Sequence, residues 1–72
     1  MEKDKASAVK WYREAAKQGY ARAQVSLGDC YAQGTGIEKN VVEAAKWYRK
    51  ATEQGSAEAA ERLKSLGEPL PK

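Results

Sequence analysis

The sequence predicts an all-α fold, four helices arranged as two stacked helical hairpins, and three observations carry that prediction. The chain repeats itself at a spacing of 36 residues; each copy contains apolar positions at helical spacing; and glycines fall where one helix must give way to the next. Comparing positions 2 to 27 with 38 to 63 gives thirteen identities, at Glu2, Lys3, Ala8, Lys10, Trp11, Tyr12, Arg13, Ala15, Gln18, Gly19, Ala21, Ala23 and Leu27. Composition alone does not place Trp-Tyr and Gln-Gly in register twice. A period in this range marks stacked supersecondary units rather than a fold with one centre.

The first helix is predicted over about 5 to 18. Ala8, Trp11, Tyr12 and Ala15 follow the i, i+3, i+4, i+7 pattern of an amphipathic stripe, with Asp4 as N-cap and Gly19 as a left-handed stop. The second covers about 21 to 33, with Ala23, Leu27, Cys30 and Tyr31 on its apolar side and Arg22, Ser26, Asp29 and Gln33 opposite. Gly28 sits inside it at a propensity cost of about 1 kcal/mol relative to alanine, which implies close approach by a neighbouring helix, under a tryptophan ring.

Gly34, Thr35 and Gly36 break the pattern, and Asn40 followed by Glu43 forms a capping box for a third helix over about 40 to 54. Its stripe, Ala44, Trp47, Tyr48 and Ala51, repeats the first. Gly55 and Ser56 lead into a fourth helix over about 57 to 66, carrying Ala59, Ala60, Leu63 and Leu66, which Gly67, Pro69 and Pro71 terminate. Residues 1–67 thus form one domain and 68–72 a flexible tail. Both Trp-Tyr doublets are expected to point inward, and most burial is expected from them together with Tyr20, Leu27, Tyr31, Leu63 and Leu66.

Composition excludes more than it selects. There is no histidine and one cysteine, so the usual general base near neutral pH, an internal disulfide and a multi-cysteine metal site are all missing. No nucleophile, base and orienting group can be assembled, so neither an enzyme nor a cofactor is expected. Cys30 lies on an apolar stripe and is read as a buried small hydrophobe rather than a reactive thiol. No apolar run approaches the ~20 residues of a membrane span, and the charged start lacks the core of a secretory signal. The compartment stays unassigned.

The net charge of +3 is spread among acidic residues. Lys10, Arg13 and Lys17, echoed by Lys46, Arg49 and Lys50, form basic lines that could meet phosphates, but Glu14 and Glu53 dilute them and they read as a solvated face, so nucleic acid is not the expected partner. The Gly-Thr-Gly segment follows no strand and precedes no lysine-serine pair, so it reads as a turn rather than a phosphate cradle.

At ARAQVSLGDCYAQGTGI (21 to 37) and AAKWYRKATEQG (44 to 55) the chain resembles the Sel-one-like repeat (SLR) family, relatives of the tetratricopeptide repeats that stack helix pairs into an α-α superhelix. The family pattern, A-x-A-Q-x-x-L-G-x-x-Y-x-x-G-x-G-[VI] and then A-x-x-W-Y-x-K-A-x-x-Q-G, is present in order. The resemblance covers about 5 to 67 and makes 21 to 56 one complete unit, flanked by the back half of one and the front half of another. In the fourth helix the family's Gln, Gly and Tyr positions are Ala60, Lys64 and Gly67, and Glu61 and Arg62 answer Val25 and Ser26. That polar outer face suits a terminal cap. No such cap is visible at the other end, so the stripe of the first helix is expected to be incompletely covered.

The resemblance implies a scaffold or adaptor whose leading helices line a concave side offered to a protein or peptide. The residues expected there are Arg22, Ser26, Asp29 and Gln33 with Val25 at the edge, extended by Glu58, Glu61, Arg62 and Ser65. The competing reading of those positions is the solvated side of an amphipathic helix. The alternative function is a self-associating structural module, natural or engineered, in which a second copy covers the first helix as a homo-oligomer, because solenoids of this kind commonly need about three units for stability.

Overall fold

The computed structural model describes residues 5–67, and its helices are α1 (Lys5–Lys17), α2 (Ala21–Gln33), α3 (Val41–Glu53) and α4 (Ala57–Ser65). No strand occurs among the described residues. Each helix packs chiefly on the next in sequence, which draws the molecule out to 40 × 23 × 17 Å. Such neighbour-to-neighbour packing is how a helical repeat builds a core without a single centre. The expected N-cap Asp4, the terminating Pro69 and Pro71 and the tail at 68–72 lie outside the described residues.

The 36-residue period survives as geometry. α1 and α3 start and end 36 residues apart, and α2 and α4 start 36 apart. The two hairpin turns repeat atom for atom: Tyr20 N–H donates to the Ala15 carbonyl at 3.3 Å, and Ser56 N–H donates to the Ala51 carbonyl at 3.1 Å. Gly19 and Gly55 take the left-handed backbone (φ +97° and +93°) these turns require, a conformation glycine adopts without a Cβ penalty.

The caps differ in detail. Asn40 Oδ1 accepts from Glu43 N–H at 3.1 Å, the first half of the expected capping box. The second half is replaced, because Asn40 N–H donates to the Tyr31 carbonyl at 2.9 Å, tying the loop back to α2, while the Glu43 carboxylate sits 3.9 Å from Lys46 Nζ. Ser56 caps α4 by accepting from Ala59 N–H at 3.1 Å; Tyr20, at the corresponding position of α2, makes no side-chain cap. A serine hydroxyl can satisfy one of the orphan donors at a helix start; a phenol held away from the backbone cannot.

Two apolar clusters hold the stack. One joins Val25, Ala44, Ala45, Tyr48, Ala51, Ala59 and Leu63 across α2, α3 and α4; the other joins Val9, Ala16, Leu27 and Cys30, with Trp47 and Ile37 packed against it. α2 lies between α1 and α3, so it buries two faces, and Gln24, Val25, Leu27, Gly28 and Cys30 are all enclosed. This corrects the expectation for Val25: it is 5% exposed, part of the core rather than the edge of a recognition stripe.

The doublets require a second correction. Tyr48 is buried and Trp47 half-buried, but Trp11 is 72% exposed, Tyr12 38% and Tyr20 61%. Tyr48 is enclosed by α2 on one side and α4 on the other, whereas no helix among the described residues stands on the corresponding outer side of α1. The stripe of the first helix is incompletely covered among the described residues, as expected. Gly28 does mark a close approach, but the ring over it belongs to Tyr48 and not to a tryptophan.

Candidate functional site

The predicted recognition residues fall into two groups. Arg22, Gln33, Glu58, Glu61 and Ser65 are exposed, while Ser26, Asp29 and Arg62 are half-buried. Of these three, Asp29 and Arg62 are structural as well as superficial. Asp29 Oδ1 accepts from the Tyr48 hydroxyl and from Arg62 Nε, the latter at 2.8 Å, and Arg62 Nη2 lies 3.2 Å from Glu58 Oε2. One carboxylate of α2 therefore joins a phenol of α3 and a guanidinium of α4. The fork of arginine suits such sharing.

This network sets the local protonation states. Burial, then the hydrogen bond to Asp29 and its negative charge, push the Tyr48 phenol well above the ordinary tyrosine range. Arg62 is raised by the charge and hydrogen bond of Asp29 and by Glu58, which outweigh the opposing effect of desolvation. Burial, assisted by the neighbouring Asp29 charge, raises the Cys30 thiol, which disfavours the thiolate. Cys30 is buried, in keeping with the apolar role expected of it. Among the described residues no group of three or more Cys, Asp and Glu side chains is placed to hold a metal ion, and no helix is long and apolar enough to cross a membrane.

Two open cavities lie side by side along α1 and α2 and share Tyr12 and Ser26. The smaller, about 190 Å³, is lined by these two with Asp29, Cys30, Gln33 and Thr35. The larger, about 380 Å³, adds Ala15, Tyr20, Arg22 and Ala23 and is almost wholly apolar in its walls. Four predicted wall residues, Arg22, Ser26, Asp29 and Gln33, thus border one continuous cleft. Ala57, Ala60, Glu61 and Lys64 line a separate hollow of about 240 Å³ on α4.

Sequence reasoning missed three residues here. Tyr12 and Tyr20 were assigned to the core, yet they are exposed and line the cleft. Gln24 was not singled out, yet it is 4% exposed: its Nε2 donates to the Ala16 carbonyl at 3.1 Å and its Oε1 accepts from Gln54 Nε2 at 3.0 Å. The recurrence of glutamine at 18 and 54 was the available signal for Gln54. The basic lines are partly engaged within the fold: Arg13 Nη2 donates to the Tyr31 hydroxyl at 3.2 Å, and Lys50 Nζ stands 5.9 Å from the Trp47 ring centroid.

The Sel1 repeat family model matches residues 1–20 and 21–56. Among solved structures, a Sel1 repeat protein from Oxalobacter formigenes is 53% identical with a TM-score of 0.86 over 92% of this chain, which spans 27% of that protein. The second, c5321, a protective antigen present in uropathogenic Escherichia coli strains and displaying an SLR fold, is 47% identical with a TM-score of 0.81 over 83% of this chain, which spans 13% of it. The chain therefore spans about a quarter of the first of these and an eighth of the second. None of the curated proteins is significantly similar to it.

Proposed function

The chain belongs to the Sel1 repeat family, and from that premise we propose that it is a non-catalytic interaction scaffold that holds a protein or peptide against the wall formed by α2 and α4. Sel1 repeats are generally protein-protein interaction modules, which supports the class of partner. The observation that carries the reading is the cleft shared by Tyr12 and Ser26, where apolar walls meet a rim of Arg22, Asp29 and Gln33. Apolar surface with a few placed polar groups is the usual make-up of a recognition site. Glu58, Glu61, Arg62 and Ser65 extend the wall along α4. Because Asp29 and Arg62 also bind α3 and α4 together, the residues free to contact a partner are chiefly Arg22, Ser26, Gln33, Glu61 and Ser65.

Affinity chromatography with the immobilised chain tests this reading. A partner retained by the unmodified chain and by Lys46→Glu on α3, but lost from Arg22→Glu/Gln33→Arg with helicity intact, supports the wall. Retention by the double variant together with loss from Lys46→Glu would overturn it.

A further inference from the structure

The charges of the four helices are sorted by row. α1 and α3, which meet where Trp47 packs on the cluster holding Val9 and Ala16, carry seven cations and three acids; α2 and α4, joined by Asp29 and Arg62, carry three of each. The excess of positive charge therefore lies on the row that does not form the wall. Two of its cations stand on the banks of the seam between the helices. Arg13 of α1 donates to the hydroxyl of Tyr31, which packs against both apolar clusters, and Lys50 of α3 lies over the Trp47 ring. Lys10 and Lys17 come three residues before Arg13 and four after it, hence on the same face of α1, one turn to either side. Lys10, Lys17 and Lys50 are exposed, and no acid among the described residues pairs with them, whereas Lys46 faces Glu43 at 3.9 Å.

Stacking does not close this face. α3 has α2 on one side and α4 on the other, yet Lys46, Lys50 and Glu53 stay exposed. The 36-residue shift makes Lys10, Glu14 and Lys17 their equivalents on α1, so a helix stacked on α1 would leave these open in the same way.

We propose that this basic face docks an acidic, extended segment of a protein partner, running along α1 from Lys10 to Lys17 with Lys50 on its other side. The two lysines are separated along the axis by about 10 Å, at about 1.5 Å per residue, and an extended chain covers that distance in about three residues. Carboxylates recurring every third residue thus meet both, with Arg13 between them. The Trp47 ring restrains Lys50 and leaves its N–H donors free for a further carboxylate. A nucleic-acid duplex fits worse: its phosphates recur at fixed, close intervals and would be pressed against Glu14 and Glu53, where a peptide can place uncharged residues. A bilayer of anionic lipid, a continuous plane of negative charge, meets the same two acids. The inference goes beyond the scaffold wall by giving the other row a partner of its own, and it stands whether or not the wall holds.

The test titrates the full chain, labelled with nitrogen-15, with the acetylated and amidated peptide GEEGEEGEEG at about 0.15 M salt, where long-range attraction is screened. Saturable shifts are expected at Lys10, Arg13, Lys17, Lys50 and the Trp47 indole N–H, with the Trp11 indole unmoved. Lys10→Gln/Lys17→Gln should weaken binding at least tenfold. Lys39→Gln/Lys64→Gln, which removes the same charge elsewhere, and the wall variant Arg22→Glu/Gln33→Arg should leave it within about threefold. Equal weakening by the two lysine pairs would overturn the proposal, because net charge alone would then hold the peptide. So would the absence of saturable shifts, or equal binding of the uncharged peptide GQQGQQGQQG. Tighter binding to a short DNA duplex or to phosphatidylserine vesicles, lost in Lys10→Gln/Lys17→Gln, would overturn the choice of an acidic segment. Loss in the wall variant with both lysine pairs unaffected would overturn the basic face while supporting the scaffold wall.

Discussion

The ring of Tyr48 lies against Gly28 so closely that a Cβ on the glycine would stand 2.5 Å from Cε1. The same ring is held at its other end by Asp29, so it cannot swing away. Gly28→Ala therefore sets two effects against each other: a gain of about 1 kcal/mol in helix propensity and an overpacking cost of about 1–3 kcal/mol. We expect net destabilisation by roughly 1–2 kcal/mol, since the obstacle is a fixed ring and not a flexible side-chain end. Urea denaturation measures it, and an unchanged or raised midpoint would show that the ring yields.

The two tryptophans share their local sequence but not their surroundings, and that difference is measurable. Trp47 packs on the Leu27 and Cys30 cluster, so Trp47→Ala should cost about 2–3 kcal/mol, the lower range for a large side chain that is only half-buried. Trp11→Ala should stay within about 0.5 kcal/mol, as for other surface changes. In fluorescence, the Trp47→Ala variant, which retains Trp11, should emit further to the red and be quenched more readily by iodide than the Trp11→Ala variant. Equal costs and equal quenching would mean that α1 is covered in solution.

This contrast also separates what could be read from the sequence from what could not. Helix starts and stops are local, so Gly19, Gly55 and Asn40 announced them correctly, and α2 was placed at its observed bounds. Burial of a given side chain depends on which helix stands over it. Trp11 and Tyr12 carry the same stripe as Trp47 and Tyr48, yet only the second doublet is packed, Tyr48 between α2 and α4 and Trp47 against the Leu27 and Cys30 cluster. Val25 was misplaced for the converse reason: a one-face reading of α2 overlooks that a middle helix packs on both sides. The candidate wall was legible as a polar stripe, but the bonds from Asp29 to Tyr48 and Arg62 cross between helices and leave no mark in local periodicity.

Gln24 is a polar group enclosed where apolar residues would be expected, and both ends of its amide are hydrogen-bonded. Replacing it with leucine keeps the bulk but removes two hydrogen bonds; the Ala16 carbonyl still accepts from Gly19 N–H and the exposed Gln54 amide turns to water, so the cost is about 0.5–1.5 kcal/mol. Gln24→Glu should be worse at neutral pH, because a carboxylate would face the carbonyl oxygen it now has to avoid. Thermal unfolding of both variants checks the order, and a leucine variant as stable as the parent would show that the amide contributes nothing net. No counterpart exists between α3 and α4, where Ala60 and Thr52 occupy the equivalent positions and Thr52 Oγ1 instead donates to the Tyr48 carbonyl within its own helix.

Tyr48 should also give the fold a specific alkaline weakness. Its phenol is neutral when protonated, and burial together with donation to Asp29 favours that form in the folded chain, so the folded pKa lies above the unfolded value of about 10. By linkage, the stabilisation is complete below the unfolded value and is lost as pH rises from there through the folded value, because the unfolded chain releases the proton more readily. The melting temperature of the parent should therefore fall steeply above pH ~10. In Tyr48→Phe the hydroxyl is gone and Asp29 keeps Arg62. That variant should be less stable by about 1 kcal/mol near pH 7, but its melting temperature should fall less steeply above the same pH. Lysine deprotonation contributes to both curves equally, so the difference between them isolates the phenol. Parallel curves across this range would mean that Tyr48 titrates alike in the folded and unfolded chains and that its hydroxyl is not held by Asp29.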